Sequence, residues 1–253
     1  MRRLRQLLRE LRAECPDDWY LKQCEESRRQ SRVLRSHFES YARAVEALDA
    51  SAWEVLRQKA ITHFKSDHAR RGKQAFFNQL NEAFAYRFLV QEGHKSVSFI
   101  PENEGQKSKG KKSKTSDLRF LENDRGRYCE VKTLSVSDAQ IERYKSTAVF
   151  DGSMYFELDT AFLNSKLAPT VCYAIEQIRS FGSDGIVYLV LHCDDAALDY
   201  LDTYKKQLAH FLKQHFLNVE VFVKFGVYGR RHLHVKPQRT VGYGYIGDRP
   251  RFV

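Results

Sequence analysis

Hydrophobic residues in the first part of the chain recur at helical spacing. The first predicted helix carries arginines on one side and leucines on the other, the leucines being Leu4, Leu7, Leu8 and Leu11. The same spacing predicts a second helix over about 25–48 and a third over about 51–64, with Ser51 as its N-cap. We therefore predict a basic, all-helical N-terminal region over 1–71, and a second unit, 72–253, after a soft boundary.

Beyond that boundary the pattern changes to short apolar runs between amphipathic segments. The first of these segments, 74–91, predicts an aromatic-rich helix that ends at Gly93. Strands are predicted at 97–100, 117–122, 127–134, 186–191 and 219–225, and further helices at 138–144, 161–181 and 196–216. The order α-β-β-β-α-β-α-β predicts an α/β fold in which a mixed sheet is flanked by helices.

Composition and charge narrow the classes of partner. The chain has 253 residues, of which 42% are hydrophobic and 13% aromatic, enough for a core and too many for a fully disordered protein. Its longest apolar run, 186–191, is far shorter than the ~20 residues of a membrane helix, so no membrane partner is expected. The net charge of +10 favours a polyanionic partner, and nucleic acid first.

The five cysteines and the N-terminus bear on location. The cysteines are odd in number and form no C-x-x-C pair, which excludes a zinc knuckle and a disulfide framework and favours a reducing compartment. The arginine-rich start resembles a transit peptide in composition, but it contains Glu10 and Glu14 and lacks serine. We interpret it as a structural helix or a nucleic-acid contact, with targeting as the alternative, and expect a cytoplasmic protein.

Polar residues of two predicted strands gather on one face of a hairpin. A four-residue turn at 123–126 would place Asp117 opposite Lys132. Because residues two apart on a strand share a face, Asp117, Glu130 and Lys132 would project from the same side. The opposite side is apolar and consists of Leu118, Phe120, Cys129 and Val131.

Two carboxylates and a lysine on one face suit hydrolysis of phosphodiester bonds. Neighbouring carboxylates repel each other unless a cation lies between them, and oxygen ligands of this kind suit Mg²⁺ or Mn²⁺. A lysine beside the ion can hold a water molecule and offset the charge that develops on phosphorus. The alternative is a cross-strand ion pair that only stabilises the sheet.

These residues resemble the motif of the PD-(D/E)xK nuclease superfamily, which is also called restriction-endonuclease-like. The match is Ser116-Asp117 followed by Glu130-Val131-Lys132. The stretch from Asn81 to Gly93 is similar to the first core helix of that family, and the resemblance covers roughly 74–195. Ser116 stands where the family usually has proline, a position that does no chemistry.

The resemblance implies a Mg²⁺-dependent nuclease with a restriction-endonuclease-like mixed sheet, and Mn²⁺ as a substitute ion. Asp117 and Glu130 would bind the metal together with the carbonyl of Val131, and Lys132 would position the attacking water. Glu82 would reach the metal directly or through water. The alternative for Glu82 is a solvated residue on its helix.

Further residues are candidates for contact with the substrate. Gln140 and Tyr144 form a Q-x-x-x-Y spacing, which in the RecB-like branch of the superfamily lies near the active site; ordinary surface polarity is the alternative. The polar stretch 102–116 is predicted to be a loop that tracks a phosphate backbone or is simply solvated. Its candidate contacts are Lys109, Lys111, Lys112 and Lys114.

The sequence thus predicts a divalent-metal-dependent nuclease, with DNA favoured over RNA. A non-catalytic nucleic-acid-binding module on the same fold is the first alternative, and a protein-interaction module is the second. The intact set of Asp117, Glu130 and Lys132 argues against the first, and the net charge of +10 argues against the second. The sequence leaves the oligomeric state open and is compatible with a homodimer.

Overall fold

The fold was analysed in a computed structural model, which describes residues 2–66, 68, 71–101, 116–143, 146, 156–182, 184–192, 199–226 and 232–237, without the side chains at 25, 27–30, 33 and 139. The helices are α1 Arg2–Glu14, α2 Trp19–Gln30, α3 Arg32–Glu46, α4 Ala50–Phe64, α5 Gln74–Gln91, α6 Asp138–Arg143, α7 Thr160–Phe162, α8 Ala168–Phe181 and α9 Leu201–His215. A π-helical turn, Leu163–Leu167, joins α7 to α8. The strands are β1 Lys95–Phe99, β2 Leu118–Glu122, β3 Arg125–Leu134, β4 Gly185–Leu191, β5 Glu220–Phe225 and β6 His232–Val235.

These strands form one six-stranded mixed sheet in the order β1-β2-β3-β4-β5-β6. The first three are antiparallel neighbours, β3, β4 and β5 are parallel, and β6 runs antiparallel to β5. Helix α8 precedes β4 and α9 precedes β5, so each parallel pair is joined through a helix, as parallel pairs require. The predicted α/β class with a mixed sheet and helices is confirmed.

Two helix boundaries in the N-terminal region differ from the prediction. The segment predicted as one helix over about 25–48 is two helices, because Ser31 is extended and its side chain accepts a hydrogen bond from the amide of Leu34, which begins α3. The predicted N-cap Ser51 is wrong. Asp49 caps α4, since its carboxylate accepts from the amide of Ala52 at 2.7 Å.

The predicted register of the hairpin is also wrong, by two residues. Asn123 and Asp124 both have positive φ angles, +50° and +61°, so the turn has two central residues and pairs Glu122 with Arg125. Asn and Asp tolerate this conformation, which a tight two-residue hairpin turn requires. A slip of two residues preserves the face of every side chain, because the side-chain period of a strand is two.

Each face of the sheet carries its own core. The first face, here called the α5 face, packs against α5 and the N-terminal helices, and its strand residues include Leu118, Cys129, Ile186, Tyr188 and Phe222. The second, here called the α8 face, packs against α8 and α9, and its strand residues include Leu134, Val187, Leu189, Val221 and Val223. The N-terminal helices and the α5 face therefore bury their apolar residues together.

Two further findings concern the described residues as a whole. None of their helices combines the length and the apolar composition that crossing a membrane takes. None of the cysteines among them is in a disulfide bond, and these cysteines are Cys15, Cys24, Cys129 and Cys172.

Candidate active site

The backbone brings Asp117 to the point where β2 and β3 part. The carbonyl of Asp117 accepts a hydrogen bond from the amide of Ile100, directly after β1. Its carboxylate accepts from the backbone amide of Val131 at 2.8 Å. Since β2 pairs Leu118 with Cys129, the next step of the same register sets Asp117 opposite Glu130.

Glu130 and Lys132 lie on the α8 face of β3 and contact each other. The Lys132 Nζ donates to the Glu130 Oε1 at 2.5 Å. The Glu130 side chain is 2% exposed and that of Lys132 is 25% exposed, so the pair connects the interior with solvent. Within the described residues, the other carboxylate oxygen, Glu130 Oε2, is buried without a hydrogen-bond partner. A buried carboxylate oxygen in that condition is unfavourable unless a ligand supplies its partner.

The electrostatics of Glu130 follow from this geometry. Burial raises its pKa to about 9, and repulsion from Asp117 adds to the rise. The ammonium of Lys132 opposes the shift without cancelling it, and Glu82 adds a further repulsion. The surroundings of Glu130 therefore favour its neutral form unless a cation binds beside it.

Glu82 lies on α5, the helix that covers the opposite face of the sheet. Its carboxylate forms an ion pair with the Lys59 Nζ at 3.3 Å, and its side chain is only 6% exposed. The alternative of a solvated helix residue is therefore wrong, since α5 is buried on most of its surface. Glu82 is close enough for its charge to act on Glu130, but its described ion-pair partner is Lys59 from α4.

A buried chain of hydrogen bonds fixes α5 against β3 beside these residues. The Tyr41 Oη donates to the Asn81 Oδ1 at 2.9 Å, and the Asn81 Nδ2 donates to the Thr133 Oγ1 at 2.9 Å. Asn81 and Thr133 directly neighbour Glu82 and Lys132 in sequence. The chain therefore sets the relative position of the two elements that carry these side chains.

Of the remaining predicted site residues, one is described and the others lie outside the described residues. Gln140 is buried on α6. Its side-chain oxygen accepts a hydrogen bond from Arg143 at 3.1 Å, and its backbone N–H donates to the Ser137 hydroxyl at 3.0 Å. Tyr144 and the loop lysines lie outside the described residues, the lysines being Lys109, Lys111, Lys112 and Lys114.

Sequence reasoning missed Gln177. This residue of α8 accepts a hydrogen bond from the Lys132 Nζ at 2.5 Å, so the ammonium is held between two side-chain oxygens. A signal was present, because Gln177 lies next to Ile178 and three residues after Ala174, both in the buried stripe of α8. A polar residue in that position points to a polar partner on the sheet.

A donor set of this kind fits a hard divalent cation. Mg²⁺ is typically held by one or two carboxylates, with water and substrate phosphate completing its six ligands, and Asp117 with Glu130 meets that description. In the part of the chain that the structure describes, no cluster of three or more His, Cys, Asp and Glu side chains that could hold a metal ion is found. A magnesium site with only two protein carboxylates does not contain three such side chains.

The chain matches no family model, no curated protein and no solved structure. The case for a function therefore depends on the residues of this chain and their geometry.

Proposed function

We propose that this protein is a divalent-metal-dependent nuclease, which hydrolyses phosphodiester bonds in nucleic acid, with DNA favoured over RNA. The observation that carries the proposal is the buried, unpartnered oxygen of Glu130 on a side chain that faces Asp117 and contacts Lys132 at 2.5 Å. A carboxylate so placed is unfavourable in the empty protein and favourable beside a cation.

The residues that would hold the ion can be named. Asp117 and Glu130 would provide carboxylate oxygens, with Glu82 in support through water. The amide of Val131 points toward Asp117, and its carbonyl points the same way, because both groups of a strand residue lie on one side of the strand. When bound, Mg²⁺ polarises a phosphoryl oxygen and lowers the pKa of a bound water.

The chain contributes a positioned ammonium group. Lys132 is held by Glu130 and Gln177, which leaves a third N–H to donate to the attacking water or to a phosphoryl oxygen. The attacking water loses a proton as its oxygen forms a bond to phosphorus, the bond to the leaving oxygen breaks, and the leaving oxygen takes up a proton. Negative charge grows on phosphorus during this step, and the ammonium stabilises it.

The finer fold and the partners belong to the same proposal. A restriction-endonuclease-like core is part of the proposal, and it is supported by α5 ahead of the sheet and by the antiparallel pair β2–β3 beside the acid and acid-x-lysine motif. The net charge of +10 supports a nucleic-acid partner, for which Gln140, Tyr144 and the loop lysines are the proposed contacts. The free thiols support a reducing compartment, and the cytoplasm is the proposed location.

A cleavage assay tests the proposal directly. The purified protein is incubated with plasmid DNA, single-stranded DNA and RNA, each with Mg²⁺, Mn²⁺ or EDTA. We expect cleavage with either metal and none in EDTA. Replacing Lys132→Met should lower the rate by about 10²–10³-fold and leave nucleic-acid binding intact, because only the positioned charge is removed. Asp117→Asn should lose both metal affinity and cleavage.

The matched control is Lys95→Met, which removes an exposed lysine from β1 of the same sheet. It should cleave at the wild-type rate. Cleavage that survives Lys132→Met, or that persists in EDTA, would contradict the proposed chemistry. Binding without any cleavage would favour the non-catalytic nucleic-acid-binding module.

A further inference from the structure

The arginines at the start of α1 divide into two groups. Arg3 faces the protein, because its guanidinium donates a hydrogen bond to the carbonyl of Val45 at 3.0 Å. Arg2, Arg5 and Arg9 are exposed, and we call these three residues the arginine row. Their spacing of three and four residues places them on one face of the helix, along about 10 Å of its axis.

The acids of α1 lie on a different flank of the helix and have partners there. Glu10 forms an ion pair with Arg57 of α4 at 2.5 Å, and Glu14 forms one with Lys65, directly after α4, at 2.9 Å. On a helical wheel the two acids lie about 110° and 150° from the centre of the arginine row. Among the described residues, no acid forms an ion pair with a member of the row. The row is therefore an exposed surface of three positive charges.

Local electrostatics disfavour cations at this end of the helix. The amino end of a helix carries a partial positive charge, and the first turn of α1 contains no acid to match it. Glu46 of α3 offsets part of this charge, since its carboxylate accepts a hydrogen bond from the backbone N–H of Arg3 at 2.8 Å. The row nevertheless begins where the helix dipole repels it. A partner outside the chain explains such a pattern better than helix stability does.

The apolar face of α1 is fully used within the protein. Leu4, Leu7, Leu8 and Leu11 are at most 5% exposed and belong to the core on the α5 face. A helix that binds a membrane surface inserts its apolar residues among the lipids, and α1 could do so only by leaving this core. The row thus offers charge without an apolar anchor, which suits an anion that stays in water.

We propose that the arginine row binds the phosphate backbone of nucleic acid, an inference that rests on the nucleic-acid partner of the proposed function but not on cleavage. Phosphates of one duplex strand follow one another every ~3.4 Å along its axis, so a row about 10 Å long meets about three of them. A guanidinium can donate two parallel hydrogen bonds to a phosphate. Backbone contacts carry no base sequence, so this binding is independent of sequence.

The arginine row is separate from the candidate active site. Helix α1 belongs to the helical layer on the α5 face, whereas Lys132 lies on the α8 face, where it contacts Gln177 of α8. The row therefore holds a part of the nucleic acid that is remote from the bond to be cleaved. Its loss should weaken binding and leave the chemistry unchanged.

Binding in EDTA tests the inference without any cleavage. The fluorescence anisotropy of a labelled DNA duplex is titrated with protein at several salt concentrations. The double variant Arg5→Gln with Arg9→Gln, here called the arginine variant, loses two charges. The slope of log K against log[salt] should flatten by about 2, and affinity at low salt should fall about tenfold to a hundredfold. Arg5→Lys with Arg9→Lys keeps both charges and should retain most of the slope.

The matched control is Lys206→Gln with Lys213→Gln, which removes two exposed lysines of α9 on the other side of the sheet. It has the same net charge as the arginine variant and should keep the wild-type slope. Thermal melting separates binding from folding. The arginine variant should melt at the wild-type temperature or above it, because the helix dipole repels the charges that it lacks.

Three outcomes would overturn the inference. The first is an equal slope in the wild type and the arginine variant, and the second is an equal loss in the control. The third is binding to vesicles of anionic phospholipid that the arginine variant loses while its duplex binding is unchanged, which would assign the row to a membrane. An unchanged slope together with Mg²⁺-dependent cleavage would reject this inference alone. A flattened slope without cleavage by the wild type would reject the nuclease alone.

Discussion

The buried charged residues near the two ends of β3 have opposite electrostatic surroundings. At the amino end, Arg127 is surrounded by acids, with guanidinium contacts to Glu122 at 2.5 Å, Asp184 at 3.0 Å and Glu220 at 2.9 Å. Burial opposes its charge, but the hydrogen bond to Glu220 and the attraction of the three carboxylates raise the pKa of Arg127 above its ordinary value. Toward the carboxyl end, Glu130 is buried beside another acid, and its pKa is raised toward the neutral form.

Two buried cationic groups show the second pattern with the sign reversed. Lys224 and His192 are buried among cations, and their pKa values are lowered toward the neutral forms. Three carboxylates surround the guanidinium of Arg127 and balance its charge, so this network stabilises the fold. The Glu130 Oε2, by contrast, is buried without a hydrogen-bond partner among the described residues, which is the pattern expected where a ligand completes the site.

The largest effect is expected from Arg127. Arg127→Met leaves Glu220 half-buried beside two other acids, and breaking a buried ion network by removing one partner typically costs several kcal/mol. We expect the free energy of unfolding, from urea titration at pH 7, to fall by about 3 kcal/mol. Arg119→Met, at an exposed position of β2, is the control. A loss below about 1 kcal/mol would remove the contrast between the two ends of β3.

The second prediction concerns Glu130, whose replacement is expected to raise the free energy of unfolding where that of Arg127 lowers it. Because the folded protein raises the pKa of Glu130 from 4.5 to about 9, folding takes up a proton that the unfolded chain releases above pH 4.5. This destabilises the folded protein by about 1.4 kcal/mol for each pH unit between those values. Glu130→Gln removes the effect, so the variant should gain stability over wild type by about 3 kcal/mol as the pH rises from 5 to 7.

Urea titrations of both proteins in EDTA across that pH range measure the gain. Glu92→Gln, at an exposed position after α5, is the control for a carboxylate elsewhere on the surface. A Glu130→Gln variant that is less stable than wild type throughout the range would mean that the carboxylate is ionised and fully paired in the folded protein.

Local patterns in the sequence predicted the alternation of helices and strands from α5 to β5, but they did not predict β6. Apolar runs between glycine and polar stretches predicted a mixed α/β sheet, because each run is long enough for one strand and each amphipathic segment for one helix. The errors lie where two local signals compete. Gly126 suggested a four-residue turn, but the conformation of Asn123 and Asp124 sets a two-residue turn. The faces of Asp117 and Glu130 were nevertheless predicted correctly, since the slip is even.

Contacts between distant segments were beyond the reach of the sequence patterns. The cations whose charge acts on Lys224 of β5 come from α5 and α3, and no spacing rule connects these elements. Glu82 is buried beside Lys59 of α4, and a helical wheel of α5 does not show the residues of another helix. Gln177 belongs to the same class, because its partner lies on a strand that precedes it by two helices.

The smallest effect is expected from Gln177, which positions the ammonium of Lys132. Gln177→Leu removes one of the two described oxygens that hold the Lys132 Nζ, and the group is then fixed by Glu130 alone. A lost hydrogen bond of this kind is worth about 1 kcal/mol, so kcat for cleavage should fall by roughly threefold to tenfold while KM stays unchanged. Metal-dependent turnover measured over a range of substrate concentrations separates the two constants. Gln177→Glu, which restores an oxygen at the same place, should recover part of kcat, and Gln214→Leu at an exposed position of α9 should change neither constant. An equal loss from Gln177→Glu and Gln177→Leu, or a change confined to KM, would contradict the positioning role.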